Sequence, residues 1–256
     1  METKLNRESR LSGDDTNPGR EVDLLSGKVD FDGYADEYDA HLGQAISVSG
    51  EDKDYFARGR IDWLSKYLKR ELIGVESVLD FGCGTGGSTP HLLELLGAGL
   101  VLGLDVSSKS LDVARRLHGE DRARFMLFGE YRPAQEVDLA VANNVFHHIA
   151  PAERRDSVQY IFDSLRPGGL LAFWENNPWN PATRYVMSRC EFDQDAVTLT
   201  FPEARGLLRG GGFEVIRTDF LFIFPRALRH LRWIEPHVAR LPLGTQYLVL
   251  CRKPQN

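Results

Sequence analysis

The chain has 256 residues, a formal net charge of −6 and a pI near 5.7. That length holds one ordinary α/β domain with additions, and the acidic balance argues against an electrostatic nucleic-acid binder, which would present a basic face. Cys83, Cys190 and Cys251 are widely spaced and give neither a zinc spacing nor a disulfide framework, so a reducing cytoplasm is the expected home. No basic-plus-apolar leader and no long apolar run is present, so a soluble protein is expected.

Residues 1–29 are polar and carry turn formers such as Asn17-Pro18-Gly19, and are expected to form a disordered tail before a single domain over 30–256. Within 31–42, Phe31, Tyr34 and Tyr38 recur at helical spacing and share one face. A clearer amphipathic helix is predicted over 54–72, with Phe56, Ile61, Leu64 and Leu68 on its apolar side. From residue 75 strands and helices alternate, the pattern of a parallel sheet covered on both faces. Strands are predicted at 76–81, 100–105, 124–128, 137–142 and 169–175, and helices at 88–97, 108–117 and 151–165. A helix at 202–210 runs into Gly210-Gly211-Gly212, and strands follow at 213–220 and 246–251. Two segments interrupt this order, 176–201 and 221–243.

The first predicted strand ends in Asp80 and enters a loop with glycine at alternate positions, Gly82, Gly84 and Gly86. Such a loop lets a bulky ligand lie against bare backbone, and the helix it opens turns unpaired N–H groups towards that ligand. The second strand ends in Asp105, where a carboxylate typically accepts the hydroxyls of a ribose. Gly82, Gly84 and Gly87 also fit the dinucleotide fingerprint, which leaves an NAD-dependent oxidoreductase as an alternative. Asp80 separates the two readings. A carboxylate there repels a pyrophosphate and suits a ligand with an ammonium group, such as S-adenosylmethionine (SAM).

Four ordered stretches, Asp80-x-Gly82-x-Gly84-x-Gly86, Gly103-Leu104-Asp105-Val106-Ser107, Asp138 to His148 and Leu165-Arg166-Pro167-Gly168-Gly169, resemble the successive motifs of class I SAM-dependent methyltransferases over about 75–175. The resemblance implies a Rossmann-like seven-stranded mixed sheet with helices on both faces and an antiparallel C-terminal strand. It implies SAM as cofactor, S-adenosylhomocysteine as product and no metal. Asp80, the three glycines, Asp105 and Val106 would hold the cofactor, with Asn143 and Asn144 at its methionine end. Glu130 stands where the family often has Asp beside the adenine amino group, and Tyr131 offers an alternative stacking surface. The helices over 30–73 resemble the lid of quinone-type and small-molecule methyltransferases, in which Tyr34 or Tyr38 would cover SAM.

On the acceptor side, His147, His148 and Glu175 are the candidate proton-handling groups, against a packing and capping role for the same residues. Metal ligation is not expected, because adjacent histidines in a strand-end turn should diverge and no carboxylate cluster stands beside them in the sequence. The 176–201 segment, rich in Trp, Asn, Tyr and Arg, is expected to wall a polar small-molecule pocket through Trp179, Arg184 and Tyr185. The aromatic and basic run over 220–240 fits either a strand end and helix packed on the core, which is favoured, or a membrane-surface contact. The expected partner is a small-molecule acceptor and not a nucleic acid. A lipid-like or glycan-linked acceptor and a non-catalytic SAM-binding regulator are the alternatives.

Overall fold

The computed structural model describes residue 43, residues 46–190, residue 193 and residues 196–255. The expected tail and the lid tyrosines Tyr34 and Tyr38 lie outside these residues. Helix α1 (Lys53–Arg70) begins at Asp52, whose carboxylate accepts the Tyr55 N–H and so satisfies one of the first-turn donors. An alternating core follows: β1 (Ser77–Phe81), α2 (Thr89–Leu95), β2 (Leu100–Asp105), α3 (Ser108–His118), β3 (Ala123–Leu127), β4 (Val137–Asn143), α4 (Arg154–Ser164) and β5 (Leu165–Asn176). Then come α5 (Pro181–Met187), α6 (Phe201–Gly210), β6 (Glu214–Leu221), a 3-10 helix (Arg226–Ile234), α7 (Glu235–Val238) and β7 (Gln246–Arg252).

The strands form a seven-stranded sheet in the order β3-β2-β1-β4-β5-β7-β6. β1 to β5 pair in parallel, and β7 is antiparallel to both β5 and β6. Each predicted strand and helix of the core is present, with ends displaced by a few residues. The largest difference is β5, which starts at Leu165 because that residue pairs with Val137 across a register break before regular pairing begins at Leu170.

Successive side chains of a strand point to opposite faces, and both faces are covered here. Leu79, Phe81, Leu104, Ala140 and Phe173 pack with Val158 and Ile161 of α4 and Leu208 of α6. Val78, Val101, Leu139, Val141 and Trp174 pack with Ile61, Leu64 and Leu68 of α1 and Leu92 of α2. Each large side chain buried this way contributes roughly 1.5–3 kcal/mol. The chain leaves β1 towards β2 on one side and later returns with β4 on the other. Ligands of open α/β sheets bind at such a reversal, beyond the carboxyl ends of the strands.

Phe220, Leu221 and Phe222 are buried, whereas Trp233 on the 3-10 helix is exposed. Among the described residues no helix is long and apolar enough to cross a membrane.

Candidate active site

The glycine loop sits at the reversal between β1 and β4. Gly82, Gly84 and Gly86 all have positive φ, but space distinguishes them. A Cβ on Gly82 would meet Val145 at 2.5 Å, and one on Gly86 would meet Ala114 and Phe125 at 3.2 Å. A Cβ on Gly84 would meet nothing within 4 Å. The first two glycines therefore let the loop pack on the protein, and the third borders open space.

Two carboxylates flank that space. Asp105 accepts hydrogen bonds from the Gly84 N–H at 2.8 Å and the Ser107 N–H at 3.0 Å, so it ties the loop to the end of β2 while remaining partly exposed. Val106 beside it is 38% exposed and presents an apolar surface next to that carboxylate. Asp80 is buried, and its Oδ2 lacks a hydrogen-bond partner. Burial, and then the charge of Asp105, push its carboxyl up to about 7, with the Arg60 guanidinium pulling the other way. A buried acceptor atom without a donor is costly unless something supplies one. Asn143 and Asn144 repeat the pattern at the end of β4, where both Oδ1 atoms are buried without a partner. Asn144 also holds φ +54°, an uncommon value outside glycine, and its N–H donates to the Trp174 carbonyl. Three partnerless oxygens beside an open glycine cradle fit a ligand with a cationic, hydrogen-bond-donating end.

Asp105→Ala should weaken binding of a ribose-bearing ligand by about 1–3 kcal/mol through lost charge-assisted hydrogen bonds. Calorimetry giving equal affinity for wild type and variant would remove Asp105 from the site.

Of the two residues expected beside the adenine, Glu130 is exposed and Tyr131 is buried. The Glu130 carboxylate accepts the Leu127 N–H at 2.9 Å and caps its own 3-10 turn. Tyr131 is turned into the core, 6.1 Å ring to ring from Tyr160, so it offers no stacking face.

The candidate proton-handling groups also take other places. Glu175 is buried, accepts the Phe146 N–H at 2.8 Å and pairs with His147 Nδ1 at 2.7 Å, so it clamps the loop after β4 and does not face an acceptor. His147 is buried as well. Burial alone would depress its imidazole, but the Glu175 carboxylate, helped by Asp193, overrides that and holds it up at about 10. Burial, and then the charge of His147, push His148 down to about 3, against the pull of Asp193. Neither ring lines the large cavity described next. The two rings do not diverge as expected. Their centroids are 4.1 Å apart, and both Nε2 atoms approach Asp193 Oδ1, at 3.4 and 3.5 Å.

A cavity of about 470 Å³ opens at the carboxyl ends of β4 and β5, within the usual range for small-molecule sites. Its walls come from α5, from the start of α1 and from 222–225. The lining is mostly apolar, with Tyr55, Phe56, Val186, Met187 and Ile223 prominent, which corrects the expected polar character. Of the three residues assigned to it, only Tyr185 borders it. Trp179 packs edge-on against Phe201 at 4.8 Å, and Arg184 borders a separate, smaller cavity.

Sequence reasoning missed Arg232, which lines the large cavity, bonds Glu51 at 2.8 Å and the Phe224 carbonyl at 3.1 Å, and lies over the Tyr55 ring. It also missed Arg154, whose Nε donates to the carbonyls of Phe146 and Ile149 and fixes the loop after β4. Arg232 reaches Glu51 across 181 residues, and a pairing that distant leaves no local signal.

Glycine cradle, strand-end carboxylate and antiparallel seventh strand together define the class I SAM-dependent methyltransferase fold. Residues 79–171 match the family model for a methyltransferase domain. The chain is similar to trans-aconitate 2-methyltransferase of Rhizobium leguminosarum bv. trifolii, 37% identical over 99 residues, which is 38% of each chain. It is also similar to equisetin synthetase of Fusarium heterosporum, 32% identical over 56% of this chain and 4% of that one. The chain thus spans well under half the length of these relatives. Among solved structures, the complex of the Haloferax volcanii Trm112 methyltransferase activator with a methyltransferase matches with a TM-score of 0.60, at 20% identity, over 88% of this chain and 98% of that one.

Proposed function

We propose that the protein binds SAM along the carboxyl ends of β1, β2 and β4 and transfers its methyl group to a predominantly apolar small molecule. The observation that carries this reading is the position of Asn144. It presents a partnerless oxygen at the end of β4 and also lines the apolar cavity, so the cofactor crevice and the acceptor cavity meet there.

When bound, SAM supplies an activated methyl on a sulfonium, and an acceptor O, N or C nucleophile displaces S-adenosylhomocysteine in an SN2 step. The residues of this chain orient the two molecules. Asp105 takes the ribose hydroxyls, Asp80 and Asn144 take the ammonium end, and the apolar walls exclude water and hold the nucleophile in line. Such positioning supplies a large part of the rate without a side-chain base. Among the described lining residues Arg232 is the cation, and it is committed to Glu51. That arrangement disfavours a polycarboxylate acceptor and favours an apolar body bearing one hydroxyl or amine.

Turnover with labelled SAM against a panel of apolar alcohols, phenols and amines, with tricarboxylates alongside, tests the reading. Tyr185→Ala and Ile223→Ala should raise the acceptor KM by roughly 3- to 30-fold and leave the Kd for S-adenosylhomocysteine unchanged, the pattern of lost uniform binding. Trp179→Ala should change neither. Preferred turnover of a tricarboxylate would overturn the acceptor class, and absence of SAM binding would overturn the reading as a whole.

A further inference from the structure

The loop after β4 and the segment between α5 and α6 meet at a cluster that the methyl transfer does not use. We propose that His147, His148 and Asp193 form a binding site for one divalent first-row transition-metal ion, at the wall shared by the two cavities. The proposal stands apart from the reading of the cofactor crevice.

The spacing of the donor atoms carries it. One ligand atom from each of the three residues lies within 4.8 Å of the other two. His147 Nε2 is 3.4 Å and His148 Nε2 3.5 Å from the same Asp193 oxygen. Closed charge-assisted hydrogen bonds run to about 2.7–2.9 Å, so both ion-pair contacts are longer than a closed pair. Two ligands on one ion at bond lengths of about 2.0–2.2 Å stand roughly 3.0–3.5 Å apart. The two histidine–aspartate gaps fall within that range.

The surroundings match the way such ligands are held. The other nitrogen of His147 is fixed by the Glu175 carboxylate at 2.7 Å, and that carboxylate is itself fixed by the Phe146 N–H. A carboxylate behind a histidine sets the tautomer and aims the ring at the ion. Val197, four residues after Asp193, is tied to the same loop, because its N–H donates to the His147 carbonyl at 2.9 Å. Arg154, anchored on the β4 loop, reaches the Val197 carbonyl as well. Two imidazoles and one carboxylate suit zinc, iron, cobalt or nickel and not magnesium or calcium. Three protein ligands leave a position for water or an acceptor oxygen, as in open sites. Asp193 borders both the large apolar cavity and the smaller one, so an ion here would stand within reach of the acceptor side.

The test is metal titration of the full chain after stripping with a chelator. Cobalt(II), followed by its visible d–d absorption, and zinc, followed by calorimetry, should each saturate at one equivalent with micromolar or tighter affinity. His148→Ala and Asp193→Asn should weaken that affinity at least 100-fold while both variants stay folded and keep the wild-type Kd for S-adenosylhomocysteine. Glu175→Gln should weaken it about 10- to 100-fold, the usual effect of removing an outer-shell partner. A wild-type chain that takes up no stoichiometric cobalt or zinc would overturn the proposal, whatever the variants do. Equal affinity in wild type and both ligand variants would overturn it too, and the cluster would then be an ordinary buried ion pair.

Discussion

Gly84→Val should abolish binding of SAM and S-adenosylhomocysteine while the protein stays folded. The expectation rests on the contrast among the three loop glycines. At Gly82 an added side chain would drive into Val145, and at Gly86 into Ala114 and Phe125, so substitution there strikes the protein itself. At Gly84 nothing of the protein lies within 4 Å, and the new side chain would stand in ligand space. The backbone still exacts a cost, because Gly84 has φ +53°, and a left-handed conformation costs a β-branched residue roughly 1–2 kcal/mol. That is a modest fraction of a domain's stability. Calorimetry with S-adenosylhomocysteine and a thermal melt read the two effects separately. Loss of binding with a melting temperature within several degrees of wild type is the expected result. Retained affinity in a folded Gly84→Val protein would show that the ligand does not lie over this loop.

The sheet and the glycine loop at its edge were legible because their signals are local. A parallel strand buried on both faces reads as a short apolar run, and the runs predicted to end at Phe81, Asp105 and Ala142 fall within one residue of where β1, β2 and β4 end. A glycine needed for close approach must be glycine whatever surrounds it, so the loop announces itself. The acceptor side was not legible for the opposite reason. Its cavity is built by residues far apart in the chain, such as Tyr55, Tyr185 and Ile223, whose shared wall exists only after folding. Residue type also misled there. Trp179 and Arg184 look like pocket residues, yet one packs on Phe201 and the other borders a smaller hollow. Glu175 shows the same limit. Its strand-end position is right, but its use was decided by the Phe146 N–H and His147, which occupy both carboxylate oxygens. The His147–His148–Asp193 cluster was missed because spacing along the chain says nothing about Asp193, which reaches the histidines only when the segment after α5 folds back on the β4 loop.

The same physics that leaves Asp80 without a partner should make cofactor binding depend on pH. Burial and the nearby Asp105 charge hold its carboxyl at about 7 in the ligand-free protein, against an ordinary value of 3.8. A raised carboxyl binds its proton more tightly folded than unfolded. The ligand-free fold therefore loses stability as pH rises from near 4 through 7, the reverse of a salt-bridged aspartate. A cationic ligand end prefers the ionised form, so binding should release that proton, and affinity should rise with pH until Asp80 ionises unaided. Below pH 7 the Kd for S-adenosylhomocysteine should weaken by up to about tenfold per unit, and above about pH 8 it should level off. Asp80→Asn keeps the shape and removes the charge. It should bind more weakly at pH 8 and show a nearly flat profile between pH 5.5 and 8.5. Calorimetry in buffers of different ionisation enthalpy should detect a proton leaving wild type, but not the variant, on binding at pH 6.5. An identical Kd for wild type at pH 6 and pH 8, with no proton released, would mean that the ligand makes no use of the Asp80 charge. The open oxygens of Asn143 and Asn144 would then have to hold the cationic end alone.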